Sequence, residues 1–204
     1  MPLHLFPNDA PDEGRSTPIY RPSPLWPERA QAPTEPARRP ASPRRGGAPG
    51  DEKRLVAATD GSALGNPGPG GWAWYVTPER WSAGGVSHTT NNIMELVAVR
   101  ELLRATGTTT PLTIRSDSQY VIQALTEWIH GWRKRGWKTA AGKAVANQEI
   151  IRALDADMAG RDVRFVWVKG HAGDQMNEQA DRRARGAAEA TKGGRVPLTG
   201  PECT

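Results

Sequence analysis

The chain of 204 residues is poor in the groups that build disulfides and zinc sites, and it lacks long apolar runs. Its single cysteine, Cys203, excludes a disulfide within the chain, and the four histidines add too little for a Cys/His zinc framework. No run approaches the ~18 apolar residues of a transmembrane helix. No charged start followed by an apolar stretch indicates a secretory signal. We therefore expect a soluble, cytoplasmic protein that does not contact membranes.

The net charge is modestly positive. The 27 lysines and arginines outnumber the 22 acids, which gives a net charge of +5. A polyanion is a reasonable partner for such a chain, although this charge alone identifies none. The glycine-rich segment GNPGPGG at 65–71 lacks the GK[ST] ending of a phosphate-binding P-loop. Binding of a nucleoside triphosphate there is therefore excluded.

Composition divides the chain near residue 50. Most of the 18 prolines lie in residues 1–50, where large apolar residues are few and scattered. Such a segment cannot bury enough surface to offset its ordering entropy, so we predict a disordered N-terminal extension. Residues 51–190 have the size of one folded domain, and residues 191–204 are predicted to be a flexible tail. The extension is either passive or a weak tether to nucleic acid or protein; the candidate tethering residues are Arg38, Arg39, Arg44 and Arg45.

Hydrophobic periodicity predicts an α/β fold in residues 51–190. The elements follow the order β-β-β-α-β-α-α-β-α, which fits a mixed sheet that contains an antiparallel hairpin and some parallel strands. A turn-rich loop is predicted over 61–71 because of its glycines and prolines. The predicted strands are 54–59, 72–77, 81–88, 112–115 and 163–168, and the predicted helices are 92–105, 118–129, 147–158 and 177–190.

Acids occur at positions where catalysis needs them. Asp60 ends the first strand and shares its apolar face with Val56 and Ala58, and a buried carboxylate must be paired, protonated or bound to a metal. Glu95 lies on the apolar stripe of the first helix. Asp117 follows a strand at a position typical of site residues in α/β sheets, and a fourth acid, Asp181, lies on the last helix. Carboxylates that converge without cysteine favour a hard cation such as Mg²⁺.

Each of these acids also has an ordinary structural interpretation. Asp60 with Gly61 is typical of a turn, and Asp117 is a candidate helix N-cap in competition with its serine neighbours. Glu95 is equally typical of a buried hydrogen-bonding residue. Asp181 has Arg185 four positions later as a candidate ion-pair partner. For any one acid the structural interpretation is favoured, so the four must be judged together.

A second unusual segment, residues 128–138, is rich in tryptophan and basic residues. Basic side chains bind phosphates, and aromatic faces stack on bases or sugars, so the segment is a candidate nucleic-acid surface. For Trp128 and Trp132, the helical spacing supports packing in the hydrophobic core as strongly as contact with nucleic acid. The candidate contacts are Trp128, Trp132, Arg133, Lys134, Arg135, Trp137 and Lys138.

Five segments, in this order, together resemble bacterial ribonuclease HI. They are TDGSALGNPGPGGWAW (59–74), TTNNIMEL (89–96), SDSQYV (116–121), TEWIHGWRKRGWKTA (126–140) and WVKGHAGDQMNEQAD (167–181). The resemblance implies the ribonuclease H-like fold, a five-stranded mixed sheet flanked by helices. The following segment, AAGKAVANQE, departs from typical members in having Lys143 as its only basic residue.

The resemblance also implies an activity. Members hydrolyse the RNA strand of RNA/DNA hybrids and leave 5′-phosphate and 3′-hydroxyl ends, with two Mg²⁺ ions at the scissile phosphate; Mn²⁺ is a possible substitute. Asp60, Glu95, Asp117 and Asp181 match the metal-binding catalytic carboxylates. By this resemblance Asp60 bridges both ions, Glu95 and Asp117 hold the leaving-group ion, and Asp181 holds the ion on the water side.

Further residues take roles from the same resemblance. His171, in the glycine-flanked KGHAG, matches a histidine that moves protons or assists product release. Side-chain amides match positions that contact the hybrid; these are Asn66, Asn91, Asn92, Gln119 and Asn177. For Asn66 and Asn91 a turn-forming role is almost as good. We expect a monomer whose partner is an RNA/DNA hybrid. The alternatives are a non-catalytic hybrid-binding module on the same fold and a different nuclease that acts on DNA.

Overall fold

The computed structural model describes residues 54–195, so the predicted N-terminal extension 1–50 and residues 196–204 lie outside the described residues. Five strands form one mixed sheet in the order β3-β2-β1-β4-β5. β1 is antiparallel to β2 and parallel to β4, and β5 is parallel to β4. The strands are β1 (Leu55–Ala63), β2 (Gly68–Thr77), β3 (Arg80–Thr89), β4 (Leu112–Ser116) and β5 (Val163–Trp167).

Helices cover both faces of this sheet. They are α1 (Asn91–Arg104), α2 (Gln119–Gln123), α3 (Ile129–Lys134), α4 (Gln148–Met158) and α5 (Gln175–Lys192), and a π-helical turn, Ala124–Trp128, joins α2 to α3. The main core lies between the sheet and α1, the α2–α3 segment and α4. α5 lies on the opposite face and contacts β1, β2 and β3. This arrangement confirms the predicted five-stranded α/β fold. Within residues 54–195 no helix is long and apolar enough to span a membrane.

The predicted loop over 61–71 is wrong in its extent. β1 continues to Ala63 and β2 begins at Gly68, so only four residues connect them. Most glycines here lie within the strands, and because they have no side chain, the neighbouring helices can pack closely against the strand backbone. A Cβ atom on Gly61 would lie 2.1 Å from the backbone nitrogen of Glu95, and one on Gly71 would lie 2.2 Å from the carbonyl oxygen of Ala184. Glycine therefore brings α1 and α5 against the sheet.

α5 packs on the sheet through small side chains. Ala180, Ala184, Ala187 and Ala188 are buried on its inner face, and the guanidinium of Arg183 lies between the rings of Tyr75 and Trp81 at 4.7 and 4.6 Å. The helix begins at Gln175 and ends at Lys192, so it is longer than the predicted 177–190. α5 thereby spans the sheet from the ends of β1 and β4 to β3.

Candidate active site

The strand order brings three of the predicted acids together. Asp60 is near the end of β1, and Asp117 directly follows β4, the parallel neighbour of β1, so both reach the same edge of the sheet. Glu95 enters from α1, which Gly61 allows to approach β1. One carboxylate oxygen from each of Asp60, Glu95 and Asp117 lies within 4.8 Å of the other two. Asp60 and Glu95 are only 5% and 6% exposed.

The crowding of these acids perturbs their protonation. Burial, followed by the charges of Asp117 and Asp181, raises the pKa of Asp60 to about 8, while a hydrogen bond from the Gly61 N–H opposes the rise. Burial, followed by the charges of Asp60 and Asp117, also raises the pKa of Glu95 well above its ordinary value. Such carboxylates are unfavourable as anions unless a cation neutralises them.

The donor set fits a hard divalent cation. All ligand atoms are carboxylate oxygens, which Mg²⁺ and Mn²⁺ prefer over sulfur or imidazole. Oε2 of Glu95 is buried and accepts no hydrogen bond, whereas Oε1 lies 3.4 Å from the Asn91 amide, which donates to it. Glu95 therefore keeps an oxygen available for a metal ion.

The structure supports the ordinary interpretation of one of the four acids, because Glu95 is buried and accepts a hydrogen bond from Asn91. The ordinary interpretations of the other three find little support. Asp60 lies within a strand, and Ser118, not Asp117, accepts a hydrogen bond from Val121 N as the N-cap of α2. Arg185 pairs with Glu189 at 3.2 Å. Asp181 is near enough to Asp60 to raise its pKa, but it is not among the three acids whose oxygens lie within 4.8 Å of one another.

His171 lies at the rim of this site. Its backbone φ is 52°, in the left-handed region that a loop between glycines makes accessible. Its side chain is 81% exposed, and Nδ1 is 4.0 Å from Oδ2 of Asp181. The imidazole therefore lies between Asp181 and solvent.

Asn177 has a different environment from the one predicted. It is 2% exposed, and its amide nitrogen donates to Oδ2 of Asp117 at 3.3 Å. A buried amide that holds a carboxylate cannot also lie on an open substrate surface. Asn177 therefore orients Asp117, and no local pattern indicated this contact because 60 residues separate the two in the chain.

Two site residues escaped the sequence reasoning. The indole Nε1 of Trp167 donates to the carbonyl oxygen of Asp117 at 3.2 Å, and the side chain is 40% exposed at the end of β5. A Cβ atom on Gly170 would lie 2.6 Å from Oδ2 of Asp117. Both contacts join residues distant in sequence, so no local pattern indicated them.

The remaining amides lie around the cluster. Asn66, Asn91 and Gln119 are exposed and Asn92 is half-buried. Oδ1 of Asn66 accepts from the backbone N–H of Asn91 at 3.4 Å, which brings the β1–β2 connection to the start of α1. Asn91 also contacts Glu95. Asn91 is therefore a direct neighbour of the carboxylates, and Asn66 lies beside Asn91.

The tryptophan-rich segment divides into core and surface. Trp132 is 2% exposed, which supports the core role that its helical spacing had left open and removes its ring from a substrate surface. Trp128 is half-buried and packs edge-on against Trp132, with ring centroids 5.7 Å apart. Trp137 is half-buried beneath the guanidinium of Arg152 at 5.5 Å.

The basic side chains of this segment also differ from one another. Arg133 forms a two-pronged ion pair with Asp155 of α4. Lys134, Arg135 and Lys138 are exposed, and the Nε of Arg135 donates to the carbonyl oxygen of Lys138 at 3.2 Å. The charge of Arg133 is therefore paired with an acid of the chain, although its side chain is 48% exposed. We call Lys134, Arg135 and Lys138 the basic loop.

This fold and this acidic edge define a nuclease-like class of α/β protein, and comparison with known proteins identifies the family. A family model described as RNase H matches residues 52–189. The chain belongs to the RNase H family, as the sequence resemblance predicted.

Named relatives are found among bacterial ribonucleases. The chain is 52% identical over 149 residues to a ribonuclease H of Tropheryma whipplei (strain Twist), across 72% of this chain and 92% of the relative. It is 47% identical over 157 residues to ribonuclease HI of Streptomyces coelicolor, across 74% and 68%. A similar solved structure is LC9-RNase H1, a type 1 RNase H with the type 2 active-site motif, with 32% identity and a TM-score of 0.57 over 70% of this chain and 75% of that one.

Proposed function

We propose that this chain is an endonuclease that hydrolyses the RNA strand of RNA/DNA hybrids and leaves 5′-phosphate and 3′-hydroxyl ends. The observation that carries the proposal is the convergence of Asp60, Glu95 and Asp117 within 4.8 Å at a partly buried edge of an RNase H fold. Four uncompensated carboxylates would repel a phosphodiester, so the arrangement is useful only with bound cations.

Asp60, Glu95, Asp117 and Asp181 would hold two Mg²⁺ ions, with Mn²⁺ as a possible substitute. Bound there, such ions would activate a water molecule and stabilise the charge that develops on the leaving 3′ oxygen. The all-oxygen donor set, the raised pKa values of Asp60 and Glu95 and the unpartnered Oε2 of Glu95 support this assignment. Asn177 keeps Asp117 oriented for the role.

His171 would move protons between the site and solvent. The ring nitrogens of an imidazole can both donate and accept a proton, which suits His171 to this role. The exposure of the side chain and its 4.0 Å approach to Asp181 support the assignment. The left-handed backbone at His171 holds the ring at the rim of the site.

The hybrid would lie across the sheet edge and the basic loop. Exposed amides of Asn66, Asn91 and Gln119, with Asn92 beside them, can donate to base edges and 2′-hydroxyls, which distinguish RNA from DNA. Lys134, Arg135 and Lys138 would bind backbone phosphates, and Trp128 and Trp137 would offer their partly exposed rings to sugars.

We also propose a domain organisation to accompany this activity. Residues 51–190 would form the catalytic domain, and residues 1–50 would be a dispensable extension. The chain would act as a monomer in the cytoplasm. A truncation to 51–204 should keep full turnover and lose at most a modest, salt-sensitive part of hybrid affinity.

The proposed activity is tested by cleavage of an end-labelled RNA/DNA hybrid in Mg²⁺, with EDTA as the metal-free control. Asp60→Asn keeps the shape of the side chain but removes a charged ligand, and we expect a loss of at least about 100-fold in rate. Duplex DNA and duplex RNA should remain uncut. An Asp60→Asn protein that cleaves at the unsubstituted rate would refute the proposed site. Hybrid binding without cleavage by the unsubstituted chain would identify a binding module instead.

A further inference from the structure

An ion pair between Arg115 and Asp174 lies beside the acidic edge. Arg115 is on β4, between Ala58 of β1 and Val166 of β5. It precedes Asp117 by two positions and therefore shares its side of the strand. Its Nη2 is 2.7 Å from Oδ2 of Asp174, and the two side chains are 35% and 14% exposed. This partly buried ion pair therefore connects β4 to Asp174, the residue that precedes α5.

Asp174 uses its oxygens for two purposes at once. While Oδ2 pairs with Arg115, Oδ1 accepts the backbone N–H of Asn177 at 3.1 Å as the N-cap of α5. Its carbonyl oxygen accepts the N–H of Glu178 at 2.9 Å. The first turn of α5 is therefore attached to β4 through Arg115 and again through the contact from Asn177 to Asp117.

Residues 169–174, which we call the His171 loop, are held between two anchors on the same strand. At the start of the loop, Val168 N donates to the carbonyl oxygen of Ser116 at 3.0 Å. At the end of the loop, Asp174 pairs with Arg115. Between the anchors, Gly170 lies against Asp117, and His171 is in the left-handed conformation.

We propose that Arg115 and Asp174 are positioning residues for cleavage, because their ion pair fixes the His171 loop and the first turn of α5 relative to Asp117. The inference rests on the proposed function for its kinetic consequence. Partly exposed ion pairs contribute little to global stability, whereas a displacement of about 1 Å at a reacting group can cost about 100-fold in rate. Loss of the ion pair should therefore lower kcat strongly while it changes Tm only slightly.

The variants Arg115→Gln and Asp174→Asn remove the ion pair with little other change. Asparagine caps a helix about as well as aspartate, so Asp174→Asn keeps the cap of α5. Arg100→Gln is the matched control, because it breaks the Arg100–Asp157 pair, which has 25% and 31% exposed side chains and lies on α1 and α4. We expect kcat on the hybrid to fall about tenfold in both test variants with KM within about twofold. The control should keep the unsubstituted kcat, and all three should show similar small shifts in Tm.

Two further measurements separate positioning from a merely structural effect. The double variant Arg115→Gln/Asp174→Asn should be no slower than the slower single variant, because both changes remove one interaction. In a His171→Ala background the effect of Arg115→Gln should shrink, and Arg115→Lys should recover part of the loss. A full tenfold effect in the His171→Ala background, or equal losses in Arg100→Gln, would overturn the proposal.

Amide hydrogen exchange gives a readout that does not depend on activity. The N–H groups of Asn177 and Glu178 should exchange about tenfold faster in Arg115→Gln than in the Arg100→Gln control, because opening of the first turn becomes easier. Unchanged exchange at these amides overturns the positioning role whatever the kinetics show. Absence of cleavage by the unsubstituted chain would refute the proposed function, and the exchange result would still decide this inference.

Discussion

The acidic edge and the basic loop carry opposite charges in opposite physical settings. Asp60 and Glu95 are almost fully buried and next to like charges, so their ionisation opposes folding. Lys134 and Lys138 are exposed, and their charges cost the fold little. The two settings suit different roles, because chemistry needs fixed ligands at short range, whereas capture of a polyanion needs only accessible charge. Damage at the edge should therefore act on turnover, and damage at the loop should act on affinity.

The largest effect on cleavage is expected at Glu95, and a second glutamate on the same helix, Glu101, provides the control. Glu95→Gln removes a proposed metal ligand from the inner face of α1. Glu101→Gln changes a half-buried acid on the same helix that lies away from the cluster and pairs with Arg104. We expect a loss of at least about 100-fold in cleavage rate for Glu95→Gln and less than about twofold for Glu101→Gln. Hybrid cleavage under saturating Mg²⁺ is the measurement. Equal losses of cleavage rate in the two variants would contradict the proposal that Glu95 acts in catalysis and Glu101 does not.

The next effect concerns stability without metal. The pKa of Asp60 is raised to about 8 in the folded chain from an ordinary value near 3.8, so the folded state holds this proton more tightly than the unfolded state. The stability that this proton contributes is fully present below about pH 4 and is lost as pH rises toward 8. One pKa unit corresponds to about 1.4 kcal/mol, so a rise from 3.8 to about 8 amounts to at most about 6 kcal/mol. Asp60→Asn should therefore raise the free energy of unfolding at pH 8 in EDTA by at least about 2 kcal/mol.

Denaturant unfolding at pH 5 and pH 8 checks this expectation. The gain from Asp60→Asn should be much smaller at pH 5, where the native carboxyl is already protonated. Added Mg²⁺ should stabilise the unsubstituted chain at pH 8 more than the variant, because the ion binds the folded state. A variant no more stable than the unsubstituted chain at pH 8 would mean that burial does not destabilise the Asp60 anion.

A smaller effect is expected at the basic loop. Replacing Lys134 and Lys138 together by glutamine should weaken hybrid binding while leaving kcat near its unsubstituted value. Each lost phosphate contact should lower the slope of log affinity against log salt by about 1. Titrations at several salt concentrations measure both quantities, and the Glu101→Gln protein serves as a control. A fall in kcat at saturating hybrid would show that the loop also positions the scissile bond.

The smallest effect is expected from Asp155. Its carboxylate neutralises Arg133, so Asp155→Asn should release that guanidinium to the hybrid. We expect affinity to rise about twofold to threefold at low salt and the salt slope to steepen by up to about 1. Asp157→Asn, on the same helix but paired with Arg100, should change neither. Weaker hybrid binding by Asp155→Asn would instead show that the Arg133–Asp155 ion pair maintains the conformation of residues 128–138 that binds the hybrid.

The sequence predicted the residues of the site better than their neighbours. Asp60, Glu95 and Asp117 each break or end an apolar pattern in their own elements, but the resemblance of five segments to one family was needed to single them out together. The contacts of Asp174, Asn177 and Trp167 were not recognisable, because their partners lie 50 to 60 residues away in the chain; these partners are Arg115 on β4 and Asp117 directly after it. The pairing of Arg133 with Asp155 was hidden for the same reason, since it joins two helices.

The glycines of 61–71 show where local patterns fail. Turn propensity and close packing both select glycine, and the sequence alone does not separate them. Gly61 and Gly71 belong to strands because α1 and α5 press their backbones against the sheet. The elements were thus predicted in the right order, and the error fell at a boundary that tertiary packing determines.

Trp167 gives the acidic edge an intrinsic optical reporter. It is the most exposed tryptophan in residues 54–195, whereas Trp72, Trp74 and Trp132 are buried. Its indole nitrogen is hydrogen-bonded to the backbone of Asp117. Occupancy of the carboxylates or the arrival of a nucleic acid changes the polarity around this ring, and its fluorescence emission should follow. Ligand titrations can therefore be recorded on the unlabelled protein, and a Trp167→Phe variant gives the contribution of the other tryptophans, which is subtracted.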